Sequence, residues 1–212
     1  MEKQAMEACK AVYLTAEDLR IAASIIYNAY HDDPFLIDAL HCDDTLQYEQ
    51  KLRGAIREEL NELWQQEQGL IGLFLGKRLV GVACIATQQV PLGEARYWHW
   101  RMKMLISAGW KSTQAWMKKE HQIIESLPSN HFAILQFIAI STNEQGKGYG
   151  SELVKTVLSW CDEQPDLDGV GVFVSDPLHR VLFSTQGFDK LEELAIGSVT
   201  GELMLYRGRQ NG

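Results

Sequence analysis

The chain has no C-x-x-C pair, no low-complexity segment, no internal repeat and no apolar run long enough to span a bilayer. Each absence removes a class of protein. Cys9, Cys42, Cys84 and Cys161 are too scattered for a metal knuckle and have no histidine at ligand spacing, so they are expected as reduced, mostly buried thiols, with no metal bound. The opening MEKQAMEACK carries charges on both sides of its apolar residues and makes no signal-peptide core, so a cytoplasmic protein is expected. Basic charge is short as well. Twenty lysines and arginines against 28 acidic residues leave a formal charge of -8, which argues against a nucleic-acid partner. An acidic surface suits a cationic substrate, and it also serves solubility.

With 46% hydrophobic and 23% charged residues, the composition is that of an ordinary globular protein, and 212 residues suffice for one α/β domain over 1–212. A short strand is expected over Ala11 to Leu14. Thr15 followed by Asp18 resembles a capping box for a helix to about Tyr30, which YHDDPF then breaks. Leu52, Ile56, Leu60, Leu63 and Trp64 recur at threes and fours, an amphipathic helix for which Gly69 is the expected stop. LIGLFL and LVGVACIAT, separated by Gly76, Lys77 and Arg78, predict a tight hairpin. From about 91 to 130 the pattern becomes two helices, interrupted near Gly109 and ended by Pro128, with four of the six tryptophans. FAILQFIAI then reads as a strand. Leu153, Val154, Val157, Leu158 and Cys161 make one stripe of a following helix. GVGVFVS reads as a strand, PLHRVLFSTQ as a short helix capped by Gly187, and VTGELMLYR as a last strand. This order implies a mixed sheet packed by helices.

Between the FAILQFIAI strand and its helix stands NEQGKGYGS. A helix start has unpaired N–H groups and a partial positive charge, and Gly146, Gly148 and Gly150 leave it open to a phosphate. Lys147 adds a charge and Ser151 a hydroxyl, so a diphosphate fits better than a neutral ligand. A glycine-rich turn that only packs helix on strand is the alternative. The loop lacks the Lys-Ser/Thr pair of a Walker loop, and Ser151 stands where the dinucleotide fingerprint wants its third glycine.

Gln145, Gly148 and Gly150 form Q-x-x-G-x-G, and with this motif the chain resembles the GNAT family of N-acetyltransferases, in which it holds the acetyl-CoA pyrophosphate. The resemblance extends over most of Val12 to Tyr206, including the Gly187-Phe188 pair that follows the last helix. DDPF, His121 and His131 resemble a bacterial branch with a helical insertion before the central strand. The implied fold is a mixed, mostly antiparallel sheet of six to seven strands flanked by helices, its central strands splayed around acetyl-CoA. The implied cofactor contacts are Ile138, Ala139 and Ile140 with the pantetheine arm, Gln145, Gly146, Lys147, Gly148, Tyr149, Gly150 and Ser151 with the diphosphate, and Phe183.

The resemblance implies direct attack of a neutral amine on the thioester, with an N–H near Ile138 or Ala139 at the oxyanion. Two usual side chains are missing. Phe183 stands four residues before Gly187, where many members carry an acidic tyrosine, and Ile134 stands where the histone-modifying branch carries a glutamate base. Strand alternation places Ile134, Gln136, Ile138 and Ile140 on one face, so Gln136 is a candidate to orient substrate or water. His179 and Asp176, in the turn after GVGVFVS, are further catalytic candidates. His99, His121 and His131 belong to the insertion or its border, with structural roles as the default. Asp33 and Phe35, beside Asp32, are candidates to line the acceptor mouth. Trp98 and Trp100, with Trp110 and Trp116, are candidates for an aromatic wall or for core packing. The expected partner is a small amine, with a homodimer through the last strands also implied. The competing readings are a non-catalytic acyl-CoA-binding module and a protein or peptide N-acetyltransferase.

Overall fold

The computed structural model describes residues 8–88 and 94–208, with the backbone alone for 94–100. Strand β1 (Cys9–Tyr13) leads to helix α1 (Leu19–Tyr30), which begins a turn later than the capping pattern predicts. Thr15 and Asp18 do pair, but the Asp18 carboxylate accepts from the Thr15 amide at 2.8 Å and its hydroxyl at 2.7 Å. The loop is closed ahead of the helix rather than at its first turn.

The YHDDPF break hides a helix. Pro34 has no N–H to lose and opens α2 (Pro34–Leu40), capped by Asp33, whose carboxylate accepts the Leu36 N–H at 3.0 Å. Helix α3 (Thr45–Gln65) follows, and its predicted stop is not used: Glu67 takes the left-handed φ of 55° and Gly69 opens β2 (Gly69–Leu75). A two-residue turn, with Gly76 at φ 56°, returns the chain as β3 (Arg78–Ala86).

The insertion is α4 (Glu94–Ala108) and α5 (Trp110–Ser126), parted at Gly109 with φ 90°. Then come β4 (Phe132–Ile140), α6 (Tyr149–Asp162), β5 (Gly169–Val174), α7 (Arg180–Ser184), β6 (Asp189–Ile196) and β7 (Val199–Arg207). The seven strands form one sheet in the order β1-β2-β3-β4-β5-β7-β6, within the expected number. Apart from β4 with β5, neighbours pair antiparallel.

One sheet face packs against the N-terminal helices and the insertion, around Leu52, Ile56, Trp116 and Phe137. The other is covered by α6 and α7 through Leu153, Val154, Val157 and Phe183. Two features of β4 interrupt this regularity. It pairs with β5 only from Phe132 to Ile134, and the strands part beyond that point. On its other side Phe137 pairs with Cys84 and Leu135 with Ile85, which leaves Gln136 as an extra, bulged residue.

The bulge corrects the alternation expected from sequence. Ile134 packs with Phe137 and Ala139 on the first face, whereas Ile138 and Ile140 join Leu135 on the second. One inserted residue shifts the period of two, so Ile134 and Ile138 face opposite ways.

Candidate active site

Where β4 and β5 part, a cavity of about 540 Å³ runs between them. One wall is β4 from Leu135 to Ile140 and the other is β5 and its turn from Val172 to Asp176. Its upper end is closed by α6, whose start follows Gly148 at φ 92°, with Gly146 at φ 75° before it. Nothing lies within 4 Å of where a Cβ on Gly146 would stand. These left-handed glycines turn the chain so that the amides of the first turn of α6 remain uncovered, an arrangement that receives an anion.

Gln145, Gly146, Gly148, Gly150 and Ser151 line this end, and the Gln145 amide donates to the Ile140 carbonyl at 3.0 Å, tying the loop to the strand. Two residues of the motif are turned elsewhere. Lys147 pairs with Glu144 at 2.9 Å, and Glu144 also takes Arg78 at 2.7 Å, so the lysine charge is spent beside the loop. Tyr149 is buried against the α6 face of the sheet.

Midway, the Ile138 N–H has no strand partner on the parted side and donates to the Tyr30 hydroxyl at 3.1 Å. The Tyr30 ring packs edge-on against Phe137, and burial raises its pKa well above the ordinary phenol value, so it stays protonated. Its O–H is therefore a donor beside the strand edge. Ala139 and Ile140 line the same stretch, as does Phe183, which packs on Phe188 with ring centroids 5.4 Å apart.

At the far end the lining includes Asp33, Phe35, Gln136 and Lys119. Both Asp33 oxygens are in use, one by the Leu36 N–H and one by the Ser175 hydroxyl. Gln136 donates from its amide to Glu120 at 3.1 Å, and burial raises the Glu120 pKa against the opposing pull of Lys119 and of this hydrogen bond. The bulge is what aims Gln136 at α5.

His179 and Asp176 stand on the lining at the β5 end, with Asp176 accepting the Leu178 N–H at 2.9 Å. His121 and His131 do not line the cavity: His121 faces Glu125 at 3.1 Å, and His131 binds the Asp166 carbonyl at 3.0 Å. The side chains of Trp98, His99 and Trp100 lie outside the described residues. Trp116 is core, 1% exposed, and Trp110 is 60% exposed.

Tyr30, Lys119 and Glu120 do not emerge from the sequence reading. A signal existed for two of them: Trp116, Lys119, Glu120 and Ile123 fall at i, i+3, i+4 and i+7, which puts them on one side of α5. Nothing local marks Tyr30, since only the tertiary fold brings α1 to Ile138.

A strand edge left free for hydrogen bonding, beside an anion-receptive helix start, is the layout of an acyltransferase that takes its acyl group from coenzyme A. Residues 24–188 match the Acetyltransferase (GNAT) family, and the chain belongs to that family. It is thus an acetyltransferase of a family that uses acetyl-CoA and acts on amines, and the open glycine loop and parted strands fit that cosubstrate. No curated protein matches the chain.

Among solved structures, it is similar to a Corynebacterium glutamicum protein described as histone acetyltransferase HPA2 and related acetyltransferase, at 15% identity and TM-score 0.67 over 95% of this chain and 96% of that one. It is similar to the ribosomal-protein-S18-alanine N-acetyltransferase of Escherichia coli at 14% identity and TM-score 0.58, over 97% of each chain. The C-terminal condensation domain of Ebony, solved with beta-alanyl-dopamine, is similar at 14% identity and TM-score 0.66, over 95% of this chain and 100% of that one. At such identities the likeness is one of fold.

Proposed function

We propose that the chain, as one domain over 1–212 working in the cytoplasm, transfers the acetyl group of acetyl-CoA to a primary amine of a small molecule by direct attack. The observation that carries this reading is one continuous cavity, which runs from the amides at Gly146 to Gly150, past the Ile138 N–H, to the side chains of α2 and α5. In this reading the diphosphate sits on the glycine loop and the pantetheine arm follows Ile138 to Ile140. The Ile138 N–H and the Tyr30 hydroxyl receive the charge that develops on the thioester oxygen.

The amine nitrogen bonds to the acetyl carbon and the carbon–sulfur bond breaks. The amine proton goes to Glu120 through a water beside Gln136, which lines the cavity and holds the Glu120 carboxylate behind it. Burial raises the pKa of this carboxyl above the ordinary glutamate value, which makes it a stronger base. The departing thiolate takes its proton from solvent at the His179 and Asp176 end. With a thiol pKa of about 8.5 it does not require a dedicated tyrosine, which accommodates Phe183.

The test is release of thiol from acetyl-CoA in the presence of a panel of primary amines, with Gly150→Trp as control. The reading requires amine-dependent release that this variant abolishes. A second reading, a non-catalytic acyl-CoA-binding module, is favoured by Phe183 and Ile134 at positions where relatives carry catalytic side chains. It would be supported by tight acetyl-CoA binding without turnover of any amine.

A further inference from the structure

The acceptor end of the cavity holds a cation that the reaction above does not use. Lys119 lines that end from α5, with its Nζ 4.9 Å from the centroid of the Phe35 ring and 5.8 Å from that of Trp116. Asp33, Glu120 and Glu59 act on it through their charge alone, without a hydrogen bond. Asp33 is turned to the Leu36 amide and Ser175, and Glu120 accepts from Gln136. Among the described residues no carboxylate forms a contact ion pair with Lys119.

Lys119 is half-buried, and partial removal of an ammonium from water without a contact partner is costly, so burial lowers its pKa. The aromatic faces of Phe35 and Trp116 recover only part of that cost. What the position lacks is an anion in hydrogen-bonding contact with the ammonium, and the cavity is open to supply one.

We propose that Lys119 binds a carboxylate of the acceptor, so that the substrate is an amine that also carries a carboxylate, of the amino-acid class. This assignment rests on the acetyl-transfer reading. The carboxylate pairs with Lys119, the body of the molecule lies along Phe35, and the amine points to the bulge, where Gln136 faces it with Glu120 behind. A carboxylate at Lys119 also favours the charged ammonium that burial disfavours, so the pocket is completed by the substrate rather than by the protein.

The experiment reads binding separately from turnover. Protein saturated with CoA is titrated with a panel of free L-amino acids and with the matching L-amino acid amides. The wild type, Lys119→Met and Lys119→Arg are compared. Methionine keeps an apolar chain over Phe35 and Trp116, and arginine keeps the charge. The expected result is that at least one free amino acid binds about tenfold or more tightly than its amide. Lys119→Met removes that preference while leaving CoA affinity unchanged, and Lys119→Arg retains most of it.

Equal binding of acids and amides by the wild type, a preference that survives in Lys119→Met, or no binding by any acid overturns the assignment. So does acetylation of Lys119 itself, found by mass spectrometry after incubation with acetyl-CoA. If the carboxylate preference is present and depends on Lys119 but no acetyl group is transferred, the anchor stands and the transfer reading fails.

Discussion

The Ile138 amide and the Tyr30 hydroxyl meet at 3.1 Å, just past the point where β4 loses β5 as a neighbour. A backbone donor in the middle of a sheet would ordinarily be held by the next strand. Here a side chain from α1 takes its place, and a side chain can yield to a ligand or join in binding it.

Tyr30→Phe keeps the ring against Phe137 and removes only the hydroxyl. The expected outcome is a fall in kcat of roughly tenfold to a hundredfold, less than total loss of an oxyanion site because the Ile138 N–H remains. Acetyl-CoA affinity should change little. Steady-state kinetics beside equilibrium binding separates the two, and an unchanged kcat would remove Tyr30 from the chemistry.

Glu120 sets the expected pH dependence. Its carboxyl is pushed above the ordinary value of 4.5, chiefly by burial, so the base is lost by protonation at a higher pH than for an exposed glutamate. Activity should fall as pH falls through that raised value. In Glu120→Gln this acidic limb should vanish along with roughly a hundredfold of the rate. A limb that persists in the variant would assign the titration to another group.

Much of this layout was legible in the sequence, and the misses have physical causes. The VTGELMLYR strand, the FAILQFIAI strand and the glycine-loop helix are read correctly because their apolar patterns are long and bounded by turn residues. Strand β6 has no such pattern, because Asp189, Lys190, Glu192 and Glu193 give an edge strand the composition of a loop. The bulge at Gln136 carries no local mark, yet it decides which face every later β4 side chain occupies. In the site, the loop glycines were readable from spacing, whereas Tyr30 and Ile138 are 108 residues apart and meet only through the fold.

Gly150 separates cofactor binding from folding. A Cβ there would meet only Leu182, at 3.7 Å, so a small side chain is tolerated and a large one points into the cavity. Gly150→Ala should bind acetyl-CoA with modest loss. Gly150→Trp should lose more than about tenfold in affinity with the thermal midpoint nearly unchanged. Calorimetric titration of both variants checks this, and undiminished binding by Gly150→Trp would displace the diphosphate from the loop.

Asp38 anchors α2 to the β6–β7 turn, where it accepts from the Ser198 hydroxyl and, at 3.2 Å, from the Ser198 amide. These bonds, the hydroxyl above all, hold its pKa below the ordinary 3.8 despite some desolvation. A depressed carboxyl contributes stability that is present above the unfolded-state pKa and lost as pH falls through the lower folded value. Asp38→Asn should therefore unfold more easily than the wild type at neutral pH. The gap should close in strong acid, as followed by denaturant midpoints across pH. A gap independent of pH would mean that the carboxylate charge is not what counts.

The central claim is that the parted strands and the glycine loop hold acetyl-CoA, and ligand-dependent thermal unfolding tests it most directly. Acetyl-CoA and CoA, each at about a hundred times its dissociation constant, should add roughly 2.7 kcal/mol and raise the midpoint by roughly 5 to 10 °C. ATP and NAD should have little effect. A shift with ATP or NAD and none with acetyl-CoA or CoA would contradict the account.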